Sequence, residues 1–482
     1  MKFRTVVLAL VAAAAFQVWV APFASAESPV TFSGYLRLRT FALGGFFSNS
    51  PDLDKVSDRF AVTRLRVNVS FKPTDNVEIR WRFHGPHAAR WGTTATGGTG
   101  DFTLYSLYFF GIVKTDWGTI SAGRVSSDID SAGLKTLGYT PAWGFSSQGW
   151  IFDRDSENDG VMYYNEWENG FGLKAFYVKR ASRPPYYSSG GVERYFKDAD
   201  YDRVSVEPFY KWESGAASLA VQYDRNSYDY TYGTNIAAVA SVNPPTADVD
   251  TNYVVTINPA LIQSWAVGVD KSLTFHAEAK YAFGKRRPGP VNGEKQREIT
   301  QDGFGAYADL TLSYPQGDAS LAGWYFRGND AGVGHAIGAQ SDYKDHGLVN
   351  AGEGFYPFLL FNYGNSSLAS NNAAINLEGY QSPGHWAAAL LGNHKLNDYV
   401  TLNYAVGTFR KTNDYYLTDD KKASRSLGSE IDLGLTVKIM DNLLWQTKFA
   451  LFDAGHYYSD RYDRPEFNRN IWGWANEFLF TF

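Results

Sequence analysis

Cysteine is absent from the 482 residues. No disulfide can therefore brace this fold, and its stability has to come from backbone pairing and packing. Long hydrophobic runs are missing too. Beyond the first twenty residues no stretch approaches the roughly 18 apolar residues that a membrane-spanning helix needs. An excess of basic charge is also lacking, with 45 Lys and Arg against 50 Asp and Glu. That balance argues against a nucleic-acid partner. There is no Gly-x-Ser-x-Gly, no phosphate-binding loop and no zinc motif. His84 and His87 flank Gly85-Pro86 without a third ligand. The acidic stretch Ser459-Asp460-Arg461-Tyr462-Asp463 lacks the spacing of a calcium loop. No catalytic residue, metal site or cofactor is implied, and the chain is not expected to be an enzyme.

The N-terminus has the build of a secretory leader. Lys2 and Arg4 precede an apolar stretch, Val6 to Val20, and Ala24-Ser25-Ala26 supplies a small-x-small cleavage site. Residues 1–26 are therefore set apart as a signal peptide, and residues 27–482 form a single domain. Losing Lys2 and Arg4 with the leader takes the net charge from −5 to −7. Aromatic residues make up 16% of the chain, yet mean hydropathy is −0.32. Strands with one apolar face and one polar face produce that combination, because each is only half hydrophobic.

The alternation is explicit. Phe32, Leu36 and Leu38 share one face of the first segment, while Tyr35, Arg37 and Arg39 share the other. Leu65, Val67, Val69 and Phe71 oppose Arg64, Arg66, Asn68 and Ser70. Val77, Ile79, Trp81 and Phe83 oppose Glu78, Arg80, Arg82 and His84. Further strands are expected near 102–113, 117–125, 159–167, 171–180, 202–212, 216–225, 251–265 and 270–283. The remainder lie near 303–314, 318–328, 384–394, 398–410, 428–439, 443–453 and 470–482. The total is about eighteen, or sixteen if 159–167 and 251–265 are not strands. Short turns alternate with long polar connections, the longest near 328–384. The last segment sets Trp472, Trp474, Phe478, Phe480 and Phe482 on one face. The expected fold is all-β: a transmembrane antiparallel β-barrel with a polar lumen.

Three stretches carry a family resemblance. The alternating aromatics and final Phe482 resemble the closing strand of Gram-negative outer-membrane barrels. Trp117-Gly118-Thr119-Ile120-Ser121-Ala122-Gly123-Arg124, a long connection, and Gly160-Val161-Met162-Tyr163 resemble the general diffusion porins. The resemblance implies that residues 125–158 fold into the barrel as a constriction loop. Parity sets Arg124 beside Ile120 and Ala122 on the outer face, so a pore-lining role needs a bulge at Gly123 to turn it inward. Leu427 to Leu433 and Phe452 to Gly455 resemble the last hairpin of the alginate-export family, which has about eighteen strands and is monomeric. General porins are trimers, so a homotrimer is expected, set in outer-membrane lipid and passing small hydrophilic solutes.

On this reading Arg37, Arg39, Arg64, Arg66, Arg80 and Arg82 face the lumen. A charge facing lipid at mid-membrane would cost roughly 2–4 kcal/mol, which favours the inward orientation. Arg124 is counted with them. The loop acids Asp128, Asp130, Asp153, Asp155, Glu157 and Asp159 would stand opposite, giving a transverse field. The alternative is a structural charge network, with Glu477 pairing Arg37 or Arg39 once the last strand meets the first. The expected function is a passive channel for small polar or anionic solutes. The rival is an exporter of an anionic polysaccharide such as alginate, with the arginines as a polymer track.

Overall fold

The computed structural model describes residues 30–46, 56–85, 89–90, 105–125, 158–182, 186–189, 192–195, 200–226, 252–286, 298–332, 344–345, 358–363, 384–467 and 469–482. Eighteen strands make the wall. The first nine are β1 (Val30–Phe46), β2 (Val56–Thr74), β3 (Val77–His84), β4 (Tyr105–Thr115), β5 (Gly118–Val125), β6 (Asn158–Glu166), β7 (Phe171–Ser182), β8 (Asp200–Trp212) and β9 (Gly215–Asn226). The rest are β10 (Asn252–Ala266), β11 (Ser272–Arg286), β12 (Ile299–Tyr314), β13 (Gly317–Phe326), β14 (His385–Lys395), β15 (Val400–Lys411), β16 (Ser426–Met440), β17 (Leu443–Ala454) and β18 (Asn470–Thr481). The segments near 159–167 and 251–265 are strands β6 and β10, so the wall has eighteen strands rather than sixteen.

Each strand pairs antiparallel with the next. β18 then pairs with β1 from Tyr35↔Thr481 to Gly44↔Trp472, which closes the sheet. Closure leaves no open edge, as a membrane-spanning sheet requires. Two-residue turns at 75–76, 116–117, 213–214, 315–316 and 441–442 lie at one end. The long connections lie at the other. Among the described residues no helix is long and apolar enough to cross a membrane.

The two faces divide as the alternation requires. Phe32, Leu36, Trp81, Phe109, Leu321, Trp474 and Phe480 are exposed on the outer face. Polar side chains such as Ser121, Lys174, Glu278, Asp309 and Glu477 are buried on the inner face. The inner face is not uniformly polar. Toward the long-connection end, Phe41, Leu43, Phe409, Phe452 and Ile471 form an apolar cluster inside the barrel. Among the described residues two short α-helices lie in connections: α1 (Leu360–Tyr363) and α2 (His456–Tyr462). α1 belongs to that inner cluster.

The constriction-loop expectation for 125–158 falls, past Val125 and short of Asn158, outside the described residues. So does the leader, residues 1–26.

Candidate functional site

The inner face of β1–β3 is built on arginine. Cross-strand partners share a face, and the register sets Arg37 opposite Arg64 and Tyr35 opposite Arg66. It sets Ser70 opposite Arg80, Asn68 opposite Arg82 and Arg66 opposite His84. Six of the seven arginines of these strands, all but Arg59, thus lie on the face away from Leu36, Leu65 and Trp81. Glu477 and Glu78 lie among them. Arg39 Nε donates to Glu477 Oε2, and Arg37 Nε lies 3.8 Å from the same oxygen. Arg80 Nε donates to Glu78 Oε1 at 2.7 Å. Arg82 Nε donates to Asn68 Oδ1 at 2.6 Å and its guanidinium lies 4.6 Å from the Tyr108 ring centre. Arg37 and Arg66 both sit over Tyr35, each 5.9 Å from its centre. Rings and neutral amides orient the guanidinium planes without cancelling their charge.

The inward role expected of Arg124 is corrected. Arg124 pairs with Phe109 on β4 and Asp159 on β6. Phe109 is 52% exposed on the outer face, and Arg124 shares that face. Gly123 does adopt φ +126°, a conformation glycine tolerates. The pairing nevertheless runs on through it without a register shift, so nothing turns Arg124 inward. Asp128, Asp130, Asp153, Asp155 and Glu157 lie outside the described residues, and the eyelet role expected of Asp159 is corrected, because Asp159 pairs with Arg124 and shares its outer face.

The connection between β13 and β14 enters the barrel. Phe358, Leu360 and Phe361 are at most 1% exposed. Phe361 stacks on Phe409 at 4.0 Å, and Phe358 meets the same ring edge-on at 5.1 Å. Two wall glycines make room. A Cβ on Gly407 would overlap the Phe358 ring, and one on Gly473 would fall 2.7 Å from Leu360 Cδ2. Polar contacts complete the seat. Glu430 takes the N–H of Leu360 at 2.6 Å on one oxygen and that of Phe361 at 2.8 Å on the other. Asp432 accepts from Leu359 N–H at 2.9 Å, and Lys448 Nζ lies 2.8 Å from the same oxygen. Buried backbone N–H groups need acceptors, and two successive inward positions of β16 supply them.

A closed eighteen-strand wall with a charged inner face and an in-folded connection is the build of a pore. A family model described as Gram-negative porin matches residues 9–286, more than half of the chain. The chain belongs to the Gram-negative porin family. It is therefore an outer-membrane channel protein. Solved structures of three Pseudomonas aeruginosa proteins share the fold. OpdL matches with a TM-score of 0.52 at 11% identity, covering 94% of this chain and 98% of its own. OccK5 (OpdH) matches with a TM-score of 0.51 at 13% identity, covering 93% and 97%. OccK8 (OprE) matches with a TM-score of 0.50 at 12% identity, covering 94% and 98%. No curated protein matches the sequence.

The porin's far wall has the opposite electrostatic character. β11 stands nine strands from β2, across the lumen. Strands β9–β13 turn Asp224, Glu278, Asp309 and Asp318 inward against Lys280. Arg203 on β8 pairs with Asp224 at 2.5 Å. His276 Nδ1 lies 3.2 Å from Asp309 Oδ2, whose other oxygen accepts from Thr311. Among the described residues no group of three or more His, Asp or Glu side chains is arranged to hold a metal.

Two elements of this porin interior escaped the sequence reading. One is the seat at Glu430 and Asp432, which serves loop backbone rather than arginine. The other is its occupant. Phe355-Tyr356-Pro357-Phe358-Leu359-Leu360-Phe361 is an apolar run within an otherwise polar connection. An apolar run in a long loop is the signal that could have found it.

Proposed function

We propose that this porin passes small anionic and polar solutes by passive diffusion, with the β1–β3 arginines as the selectivity surface. The charge balance of that face is the observation that carries the reading. Arg37, Arg39, Arg64, Arg66, Arg80 and Arg82 share the inner face of β1–β3, where Glu477 meets Arg37 and Arg39 and Glu78 meets Arg80, and six cations gathered on one face support a positive wall. The acidic β9–β13 side supports a field across the lumen that would draw an anion toward the arginines. Arginine stays charged and offers a planar fork that fits carboxylate and phosphate. A conducting lumen keeps such a patch hydrated, so it raises local anion concentration instead of binding irreversibly. The connection near 125–158, with Asp128, Asp130, Asp153 and Asp155, would narrow the same lumen. The channel carries out no chemistry on its solutes, and its working form is a homotrimer.

The test is the reversal potential in a planar bilayer under a salt gradient, for the native protein and for Arg64→Ala/Arg66→Ala. Anion preference that falls in the double variant supports the reading. Cation preference in the native protein, or selectivity unchanged in the variant, refutes it. Sedimentation in detergent tests the trimer, and a monomer mass would remove that part.

A further inference from the structure

Arg124 belongs to a row of charged residues on the outside of the barrel. The register runs Arg124↔Asp159, Asp159↔Lys179, Lys179↔Asp202 and Asp202↔Arg225 across β5–β9. Each step is one inter-strand spacing, so successive cations stand about 9–10 Å apart. Lys179 Nζ lies 3.5 Å from Asp202 Oδ1, which also accepts from Tyr177 OH at 2.9 Å. The next outward row toward the short turns is apolar or aromatic throughout. It runs Ala122↔Val161, Val161↔Tyr177, Tyr177↔Val204 and Val204↔Tyr223. The charged row therefore marks the border of the lipid-facing band at the long-connection end. At the opposite border the same wall shows Trp117, Phe171, Tyr210 and Trp265, with no such row among the described residues.

We propose that this row is a docking surface for phosphate-bearing lipid headgroups of the outer leaflet. The long-connection end faces outward in this class of barrel, so the row meets the outer leaflet's headgroups. Arg124, Lys179 and Arg225 outnumber Asp159 and Asp202. The two acids hold the cations apart along the wall, so several phosphates can be met at once. Arginine and lysine at this depth donate charge-assisted hydrogen bonds to phosphate oxygens.

The test is native mass spectrometry of the purified protein titrated with diphosphoryl lipid A and, separately, with its dephosphorylated form. The native protein should prefer the diphosphoryl form. Arg124→Gln/Lys179→Gln/Arg225→Gln should weaken its binding by roughly 100-fold, a factor of several for each cation. Single-channel conductance should stay unchanged, because the row lies outside the lumen. Equal binding of the two lipids by the native protein overturns the proposal, and so does undiminished binding by the triple variant. Loss of oligomer with lipid binding intact also overturns it and assigns the row to contact between copies. Asp159→Asn offers an independent check that keeps the cations in place. It should tighten diphosphoryl lipid A binding several-fold, and unchanged affinity counts against the proposal.

Discussion

Replacing Glu430 by Ala should release the in-folded connection from the inner wall. The segment Phe358–Phe361 is held by two kinds of contact. Burial of Phe358, Leu360 and Phe361 contributes about 1.5–3 kcal/mol per side chain, or roughly 5–9 kcal/mol. Fixing four residues of backbone costs about 1–2 kcal/mol each, or roughly 4–8 kcal/mol. These two sums nearly cancel, so the carboxylate bonds decide whether the segment stays docked. Glu430→Ala leaves the N–H groups of Leu360 and Phe361 buried without an acceptor. Each orphaned group costs about 1–3 kcal/mol. The combined loss of about 2–6 kcal/mol shifts the docked population by roughly 30-fold to 20,000-fold. Single-channel recording should then show larger conductance with frequent steps between levels. Hydrogen exchange at Leu360 and Phe361 should accelerate. Glu430→Gln keeps one acceptor oxygen and should fall between the two. A Glu430→Ala protein with native heat-modifiable migration, native conductance and native noise would refute the reasoning. It would mean that Phe409, Phe452, Gly407 and Gly473 suffice to seat the loop.

The remaining predictions concern the seam and the outer connections. Glu477→Gln removes the charge that Arg39 and Arg37 share. It should lower unfolding stability by about 1–3 kcal/mol and strengthen anion preference, both measurable on one preparation by thermal gel shift and reversal potential. In the connection after β15, Lys422 Nζ and Arg425 Nη2 hold Asp414 at 2.7 and 2.6 Å. Burial alone would raise the Asp414 pKa, but the hydrogen bonds from Lys422 and Arg425 outweigh it and lower the pKa below the usual carboxylate value. A lowered native pKa adds stability that is complete above the unfolded value of about 3.9. That stability fades as pH falls through the lower native one. Hydrogen exchange in residues 412–425 should therefore be flat from pH 7 to 5, corrected for intrinsic rates, and rise below about pH 4. Protection that declines already at pH 6 would assign the clip to another group.

Much of this porin was legible because a strand's chemistry is local. Side chains alternate with period two, and lipid and water sort them to opposite faces. Eighteen segments, the inward set of six arginines and the outward aromatics of β18 follow from that rule. Parity alone also set Arg124 outward, and the porin-like motif around it pointed the wrong way. Even the pairing of Glu477 with Arg37 or Arg39 was accessible, since a closed barrel must bring its last strand to its first.

What residue order could not decide are contacts that depend on register between distant elements and on the shape of the holes they leave. Glu430 and Asp432 read equally well as partners for arginine. Only the closed wall shows that Gly407 and Gly473 open a recess beside them, into which Phe358 and Leu360 fit. The row from Arg124 to Arg225 spans 102 positions of chain and five strands, and a slip of one residue in any pairing would scatter it to both faces. Alternation along each strand was determined by sequence alone. Alignment between strands, and the destination of the long connection, were decided by the closed barrel, because there pairing and packing act on residues that the chain keeps far apart.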